Sequence, residues 1–514
     1  MHRAFDSEDI IYSVLEYLKS SPEDLKNLAV TCSRLSGPAL DILWAEQSGF
    51  GPLFMCLPRD LRKYDGRTIN LSREPTPSEW ERLRMNASRV RRFIEPESDF
   101  YDASYPKLRV SGLVLRRLFE QFPPPTLFPN LCAFDSKALR EHSPDLSVVR
   151  KFMSPGLEAL FLDVSAQSQT HEVEQFLAAL PVEAHGLRQL SISMGMAFAV
   201  LPSFEKLPKL LTLTIDGVDV CMMRQAITNI QQARYLNTLK LSLHGTSYDG
   251  GVMALELSSL DCLSLSGDVL PQCTHFIRQI TTRQLSYVTI EYHQPASPIE
   301  ITAFMESLSI SCQNHGSLKQ ICVVDDTDLE DVELVIPLSS AVFRPLLKFT
   351  GLLYVVFEGI GNYNLDDRFI NDIPDAWPRI QELKFASYRP ASCAVTFTAM
   401  VSLASRCRSL QFLHLTCDAS QPTLERLWPA QTALRELHVG YSQVSEVARM
   451  PYILAKVFPA LPTWNFNWYQ SNGSFNIVNV SEPALQEVCD QLCALQGLPG
   501  QDDYDGNYDS DMEW

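Results

Sequence analysis

Long apolar runs are missing from this sequence. No stretch of roughly eighteen consecutive apolar residues occurs, so no segment reads as a helix that crosses a membrane. The opening Met1 to Asp6 lacks the apolar core of a secretory signal, and a cytoplasmic or nuclear location is expected. No C-x-x-C pair is present. The 13 cysteines are odd in number and scattered from Cys32 to Cys493, several of them (Cys221, Cys262, Cys322) within apolar segments. Thiols so placed act as small hydrophobes, the usage of a reducing compartment. Cys489 and Cys493 lie one helical turn apart with no second pair or histidine nearby, so no zinc site is expected. Basic residues are also scarce, 43 against 61 acidic for a net charge of −18, which argues against a sequence-independent nucleic-acid binder. H-E-x-x-H, G-x-S-x-G, P-loop and G-x-G-x-x-G phrases are all absent. The one dense acidic stretch, Asp325 to Glu333, lacks the central glycine and closing glutamate of a calcium loop and reads as a solvated loop. The expectation is a chain without catalysis, cofactor or metal.

What the sequence does contain is one phrase repeated: Leu, two residues, an aliphatic, one residue, another aliphatic. It runs Leu157–Leu160–Leu162, Leu187–Leu190–Ile192, Leu210–Leu213–Ile215, Leu236–Leu239–Leu241, Leu260–Leu263–Leu265 and Leu285–Val288–Ile290. It continues Leu318–Ile321–Val323, Leu352–Val355–Phe357, Ile380–Leu383–Phe385, Leu410–Leu413–Leu415, Leu434–Leu437–Val439 and Leu461–Trp464–Phe466, successive copies lying 23 to 34 residues apart. That period is the signature of leucine-rich repeats, in which each copy supplies a short strand that cannot bury its apolar side alone. Helical apolar spacing follows at His171–Leu180, Cys221–Ala233, Ile301–Cys312, Phe397–Arg408 and Val447–Phe458. The fold class expected is an α/β solenoid, an irregular leucine-rich-repeat array with parallel strands on the concave side and helices on the convex side. The Asn or Cys that usually closes each turn is replaced by residues such as Val218, His244, Asp326 and Asp418, so the array is expected to be uneven.

Alternation within the phrase points its intervening residues outward. Tyr354, Lys384, Phe412, His414, His438 and Asn465 are thereby the candidate partner-binding residues of the concave face. Aromatics in such positions serve binding, or the packing of a terminal cap.

Residues 7–45 stand apart. Ile10, Ile11, Val14, Leu15 and Leu18 mark one helical face, and Pro22-Glu23-Asp24 opens a second helix carrying Leu25, Leu28, Ala29 and Cys32. A third segment, Pro38 to Trp44, is apolar. Three helices this short bury little area by themselves. The run Ile10 to Leu18 followed by Pro22 to Cys32 resembles an F-box, with Ala4-Phe5-Asp6 where that module usually opens with Leu-Pro, and Leu35 where a Trp is common. Together with Leu57-Pro58-Arg59-Asp60-Leu61, Pro77 to Leu83 and Arg89 to Phe93, the chain resembles the F-box/leucine-rich-repeat proteins of mushroom-forming fungi. The resemblance implies a substrate receptor of an SCF-type ubiquitin ligase. Ile11, Leu15, Leu18, Pro22, Asp24, Leu25, Leu28 and Cys32 would then bind the ligase's small adaptor subunit, and the solenoid would hold a protein substrate. A helical cap on the first repeat is the alternative for residues 7–45, and a repeat scaffold unconnected to ubiquitination is the alternative for the whole. On either reading the chain is a monomer within a hetero-complex, without nucleic-acid or membrane partners.

The organisation expected is an F-box-like module (1–45), a helical connector (46–105), the solenoid (106–480), a closing helix (481–500) and an acidic tail without structure (501–514). In the connector, Thr76-Pro77-Ser78-Glu79 has the form of a helix start. The arginines that come after it (Arg82, Arg84, Arg89, Arg91, Arg92) read as a solvated face that could pair with acidic residues of the same chain.

Overall fold

A computed structural model of the chain describes residues 7–94, 108–139, 146–164, 170–194, 204–220, 223–245, 255–327, 337–386, 394–420, 429–439, 442–444, 449–459 and 491. The chain forms two compact units, Met1–Leu241 and Ser242–Trp514. No described helix is long and apolar enough to cross a membrane.

The first unit opens with three helices, α1 (Glu8–Glu16), α2 (Pro22–Thr31) and α3 (Ser33–Ala45). They close on a small core of Ile11, Leu15, Leu25 and Ala39, with Leu18, Leu28, Leu35, Ile42 and Leu43 packed around it. A run of parallel strands comes next, Glu46–Gln47, Arg92–Phe93, Ala133–Asp135, Ala159–Val164, Gln189–Met194, Thr212–Asp219 and Thr238–His244, each the neighbour of the next, the last continuing past the unit's end at Leu241. The sheet therefore begins earlier than the repeat phrase, because Glu46 pairs with Arg92 and Arg92 with Ala133 inside the expected connector. The first two of those strands are two residues long and lack the phrase, and aromatic packing of Phe93 anchors the second of them instead. Phe50, Phe93, Phe128, Phe134 and Phe152 form one cluster, with the Phe134 and Phe152 rings stacked at 4.2 Å.

The second unit repeats the pattern with Cys262–Gly267, Tyr287–Tyr292, Gln320–Asp325, Tyr354–Glu358, Glu382–Ala386, Phe412–Leu415 and Glu436–His438, again parallel and in chain order. All eleven phrases from Leu157 to Val439 form strands. The twelfth, with Asn465, lies outside the described residues, as do the closing helix apart from Gln491, the acidic tail and the Asp328–Glu333 part of the acidic stretch. Along Tyr287–Tyr292 alternate residues are buried, Val288, Ile290 and Tyr292, which places the leucine phrase on the inward side, whereas Glu382–Ala386, Phe412–Leu415 and Glu436–His438 bury outward residues as well. Helices Thr170–Glu183, Met223–Gln231, Pro298–Ser311, Phe397–Arg406 and Met450–Val457 fall where the helical spacing of the sequence puts them. These parallel, helix-connected short strands, stacked copy on copy, make the fold an α/β solenoid of the leucine-rich-repeat type.

Two devices shape the turns around the strands. Aspartates close local turns where the asparagine ladder is missing. Asp135, Asp325 and Asp418 each accept the backbone N–H two residues on, at 2.8, 3.0 and 2.9 Å. Glycine also precedes the phrase where neighbouring turns touch. A Cβ on Gly186 would come within 2.4 Å of the Pro155 carbonyl oxygen, and one on Gly351 within 2.2 Å of the Gly316 carbonyl oxygen.

The Pro77–Ala87 helix starts as its sequence indicates, with the Glu79 carboxylate accepting the Thr76 N–H at 2.7 Å. Its neighbouring arginines pair within the chain. Arg89 binds Asp41 of α3, Arg92 lies 3.4 Å from Glu46, and Arg73 reaches both Glu79 and Asp60. The Arg73 and Thr76 bonds hold the Glu79 carboxyl down to about 2.

Candidate binding face

Strand register brings the outward residues of the second unit into rows. One row reads Tyr287, Gln320, Tyr354, Glu382, Phe412, Glu436, and the next Thr289, Cys322, Val356, Lys384, His414, His438. A third begins Glu291, Val324, Glu358, Ala386. In the first row aromatics alternate with amide or carboxylate from Tyr287 to Glu436.

Three of the expected binding residues are not on the surface. Lys384, His414 and His438 are only 4, 3 and 6% exposed. They point outward as the alternation requires, but they form the floor of the face and not its contact layer. Their chemistry turns on one another. Lys384 Nζ lies 2.6 Å from the Glu358 carboxylate, the His414 and His438 rings stack 5.4 Å apart, and His438 lies 5.1 Å from the Phe412 ring. Burial pushes the His414 imidazole well below its ordinary pKa, and the neighbouring His438 and Lys384 push it further. Burial also lowers His438, against the pull of the Glu436 carboxylate 3.6 Å away. Both imidazoles are therefore neutral near pH 7. Burial likewise raises the Cys322 thiol to about 11, with Glu358 adding to the effect.

Tyr354, Glu382 and Phe412 are half-buried and Glu436 is exposed, so these four make up the accessible layer above that floor. The Tyr354 hydroxyl is tied to Gln381 Oε1 at 2.7 Å. Burial raises the Glu382 carboxyl, Lys384 opposes the shift, and Glu358 and Glu436 add to it.

At the strand ends of the same unit, Ser242 Oγ lies 3.4 Å from His244 Nε2, and His244 Nδ1 lies 3.5 Å from Asp268 Oδ1. The order resembles a nucleophile–base–acid chain. However, His244 and Asp268 are 52 and 45% exposed, and solvent at that level screens the charges such chemistry depends on. Among the described residues, no group of three or more His, Cys, Asp or Glu side chains is placed to hold a metal ion.

In the N-terminal module the expected adaptor-binding residues divide in three. Ile11, Leu15 and Leu25 are interior, at 2, 2 and 1% exposure. Leu18, Leu28 and Cys32 are half-buried, while Asp24 is exposed and Pro22 lies at the exposed start of α2. Outside that expected set, Ile10, Val14, Tyr17 and Val30 are apolar side chains exposed at 43, 45, 88 and 82%. Ile10, Val14 and Tyr17 stand at i, i+4 and i+7, a second stripe beside the buried one. Reading Ile10 to Leu18 as one apolar face merges two faces. The separation is present in the spacing.

No protein-family model matches the chain, and no curated protein matches it. Among solved structures it is similar to an internalin of Listeria monocytogenes, at 12% identity and a TM-score of 0.34, covering 63% of this chain and 83% of that one. It is similar also to the Rad7 and Elc1 complex of yeast, at 14% identity and a TM-score of 0.34, covering 89% of this chain and 87% of that one. A leucine-rich-repeat protein of Leptospira interrogans gives 12% identity and a TM-score of 0.27, covering 66% of this chain and 91% of that one. Likeness at these scores carries no function across.

Proposed function

We propose that the chain is a non-catalytic receptor that uses its N-terminal helices to dock on the adaptor subunit of an SCF-type ubiquitin ligase and its repeat sheet to hold a protein for modification. The observation that carries the docking half is the pair of apolar stripes on α1. A helical cap needs only the stripe that packs inward, through Ile11 and Leu15. The stripe of Ile10, Val14 and Tyr17 stands in water, as does Val30 of α2, and exposed apolar patches mark interaction surfaces. The module is also fixed to the connector, since Asp41 of α3 accepts both the Tyr12 hydroxyl at 2.7 Å and the Arg89 guanidinium. An adaptor held by α1 and α2 is thus tied to the connector through a buried core and an ion pair. The chain would supply proximity and orientation, and other subunits the transfer chemistry.

The interior residues Ile11, Leu15, Leu25 and Ala39 shape this surface, whereas Ile10, Val14, Tyr17 and Val30 would make the contact. Val14→Asp with Tyr17→Asp in the full-length chain should abolish co-purification with the adaptor and leave the melting temperature within a few degrees, because exposed substitutions cost about 0.5 kcal/mol or less. Undiminished adaptor recovery by the folded double variant would refute the docking reading and leave a repeat scaffold unconnected to ubiquitin.

A further inference from the structure

The second unit holds a feature that a generic partner-holding sheet does not require. Across three neighbouring strands the register places Glu382, Phe412 and Glu436 side by side, with Tyr354 on the strand before. Strands stack about 4.8 Å apart, so an aromatic ring is flanked by a carboxylate on each side, the two carboxylates about 10 Å apart at the backbone. A third carboxylate nearby, Glu358, is already taken by Lys384. Among the described residues no lysine or arginine forms an ion pair with Glu382 or Glu436, and the ring nitrogen beside Glu436 belongs to the neutral His438. We propose that Tyr354, Glu382, Phe412 and Glu436 seat an arginine or lysine side chain carried by an extended segment of a protein partner, the cation lying against the Phe412 ring between the two carboxylates. The inference rests on the repeat sheet as the partner-holding surface and is independent of adaptor docking.

Charge complementarity names the occupant. The second unit carries 15 basic against 32 acidic residues, and the first 28 against 29, so the field that draws a cationic segment belongs to the unit that holds the seat. The seat gains locally as well. Glu382 is desolvated, attracted by Lys384 and repelled by Glu358 and Glu436, and an arriving cation opposes both the desolvation and the repulsion. Phe412 is fixed by the His438 ring on one side, and a guanidinium, planar and weakly hydrated, suits an aromatic face between carboxylates better than an ammonium does. An extended or polyproline-type segment crossing the strands advances about 3.1 Å per residue, so basic residues at every third position stand about 9 Å apart and the gap of about 10 Å between Glu382 and Glu436 admits one of them at a time. Such a pattern offers the seat a single cation in each of several registers.

The test uses full-length protein and three fluorescein-labelled nine-residue peptides with Arg, Lys or Glu at every third position and Pro elsewhere, monitored by fluorescence polarisation. The Arg peptide should bind best, the Glu peptide not at all, and affinity should fall with added salt. Glu382→Gln with Glu436→Gln should weaken the Arg peptide by about tenfold or more. Phe412→Leu should weaken it less, and Glu306→Gln on the helix side should leave it unchanged. Should the double variant unfold, the exposed Glu436→Gln alone serves, with loss of Arg-peptide affinity again expected. Equal affinity for wild type and a folded Glu-to-Gln variant, or Arg and Glu peptides that bind alike, overturns the proposal. Adaptor binding, scored on the same preparations, reports on the other end of the chain. Intact adaptor binding without peptide binding therefore removes this inference and leaves the docking reading standing.

Discussion

Each of the two units builds a sheet of the same kind, and the two furnish its open face differently. In the first, the outward positions from Gln189 to Lys240 are Gln189, Ser191, Ser193, Thr212, Thr214, Asp216, Thr238 and Lys240, none of them aromatic, with one carboxylate and one exposed lysine. In the second, the strands from Tyr354 onward carry Tyr354, Val356, Glu358, Glu382, Lys384, Ala386, Phe412, His414, Glu436 and His438. Inward, the units are interchangeable, because both present leucine and isoleucine at full burial. The backbone repeat is thus indifferent to what its outward side chains do. Where those side chains are long, they pack on each other, and a layer of buried ionisable groups appears on a face that alternation alone would leave wet. On the reading proposed above, recognition would use the strands where that second layer exists.

Two lysines make the sharpest break of this comparison. Lys240 and Lys384 occupy the same place in the phrase, one residue after Leu239 and Leu383, yet Lys240 is exposed and Lys384 is 4% exposed. Lys384→Met leaves Glu358 without its cation in a site where only 16% of that side chain meets solvent, and the expected loss is about 3–5 kcal/mol. Lys240→Met should change stability by about 0.5 kcal/mol or less. Adding Glu358→Gln to Lys384→Met should restore most of the loss. Chemical denaturation of wild type and the three variants checks this, and equal losses at Lys240 and Lys384 would erase the distinction between the faces.

A device shared by both units should behave alike in both. Gly186→Ala and Gly351→Ala each drive a methyl into a carbonyl oxygen of the preceding turn, at 2.4 and 2.2 Å, and each should cost about 1–3 kcal/mol. Gly156 and Gly316, in the same turns, have no atom closer than 3.5 Å to an added Cβ, so alanine there serves as the tolerated control. Denaturation midpoints of the four variants test the point. A large difference between Gly186→Ala and Gly351→Ala would mean that the copies are not stacked equivalently.

The inward half of this molecule is legible in its sequence because burial acts on every copy in the same way. A two-residue alternation anchored by leucine locates eleven strands, and helical spacing locates the returns. The first strands escape because Glu46–Gln47 and Arg92–Phe93 lack the phrase, and Phe93 packs on Phe50 and Phe128 instead. The outward half is legible only in direction. Alternation places Lys384, His414 and His438 on the correct side of the sheet, but their burial depends on neighbours a full repeat away in sequence, such as Glu358 for Lys384. In α1 the distinction between Ile11 and Ile10 is a rotation of about 100°, which a count of apolar residues does not resolve.

The histidine pair gives the gentlest test of the contrast between the faces, since nothing need be removed. His414 is held neutral by burial beside Lys384 and His438, with Glu358, Glu382 and Glu436 the carboxylates of the same floor and row. The unfolded chain takes up a proton at His414 near its ordinary pKa of about 6.5 and the folded chain does not, so the unfolded state binds more protons as the solution is acidified. Stability therefore rises with pH through this window and falls as the pH is lowered. Between pH 7 and 6 the loss from His414 alone is about 0.7 kcal/mol, with His438 adding in the same direction and the raised carboxyl of Glu382 opposing it, because the folded chain takes up that proton more readily than the unfolded one. Melting temperatures measured at half-unit intervals should show this slope in wild type and a shallower one in His414→Gln, whatever the variant's absolute stability. An identical slope in both proteins would mean that His414 is protonated in the folded state, and the buried layer that separates the two faces would then be a solvated one.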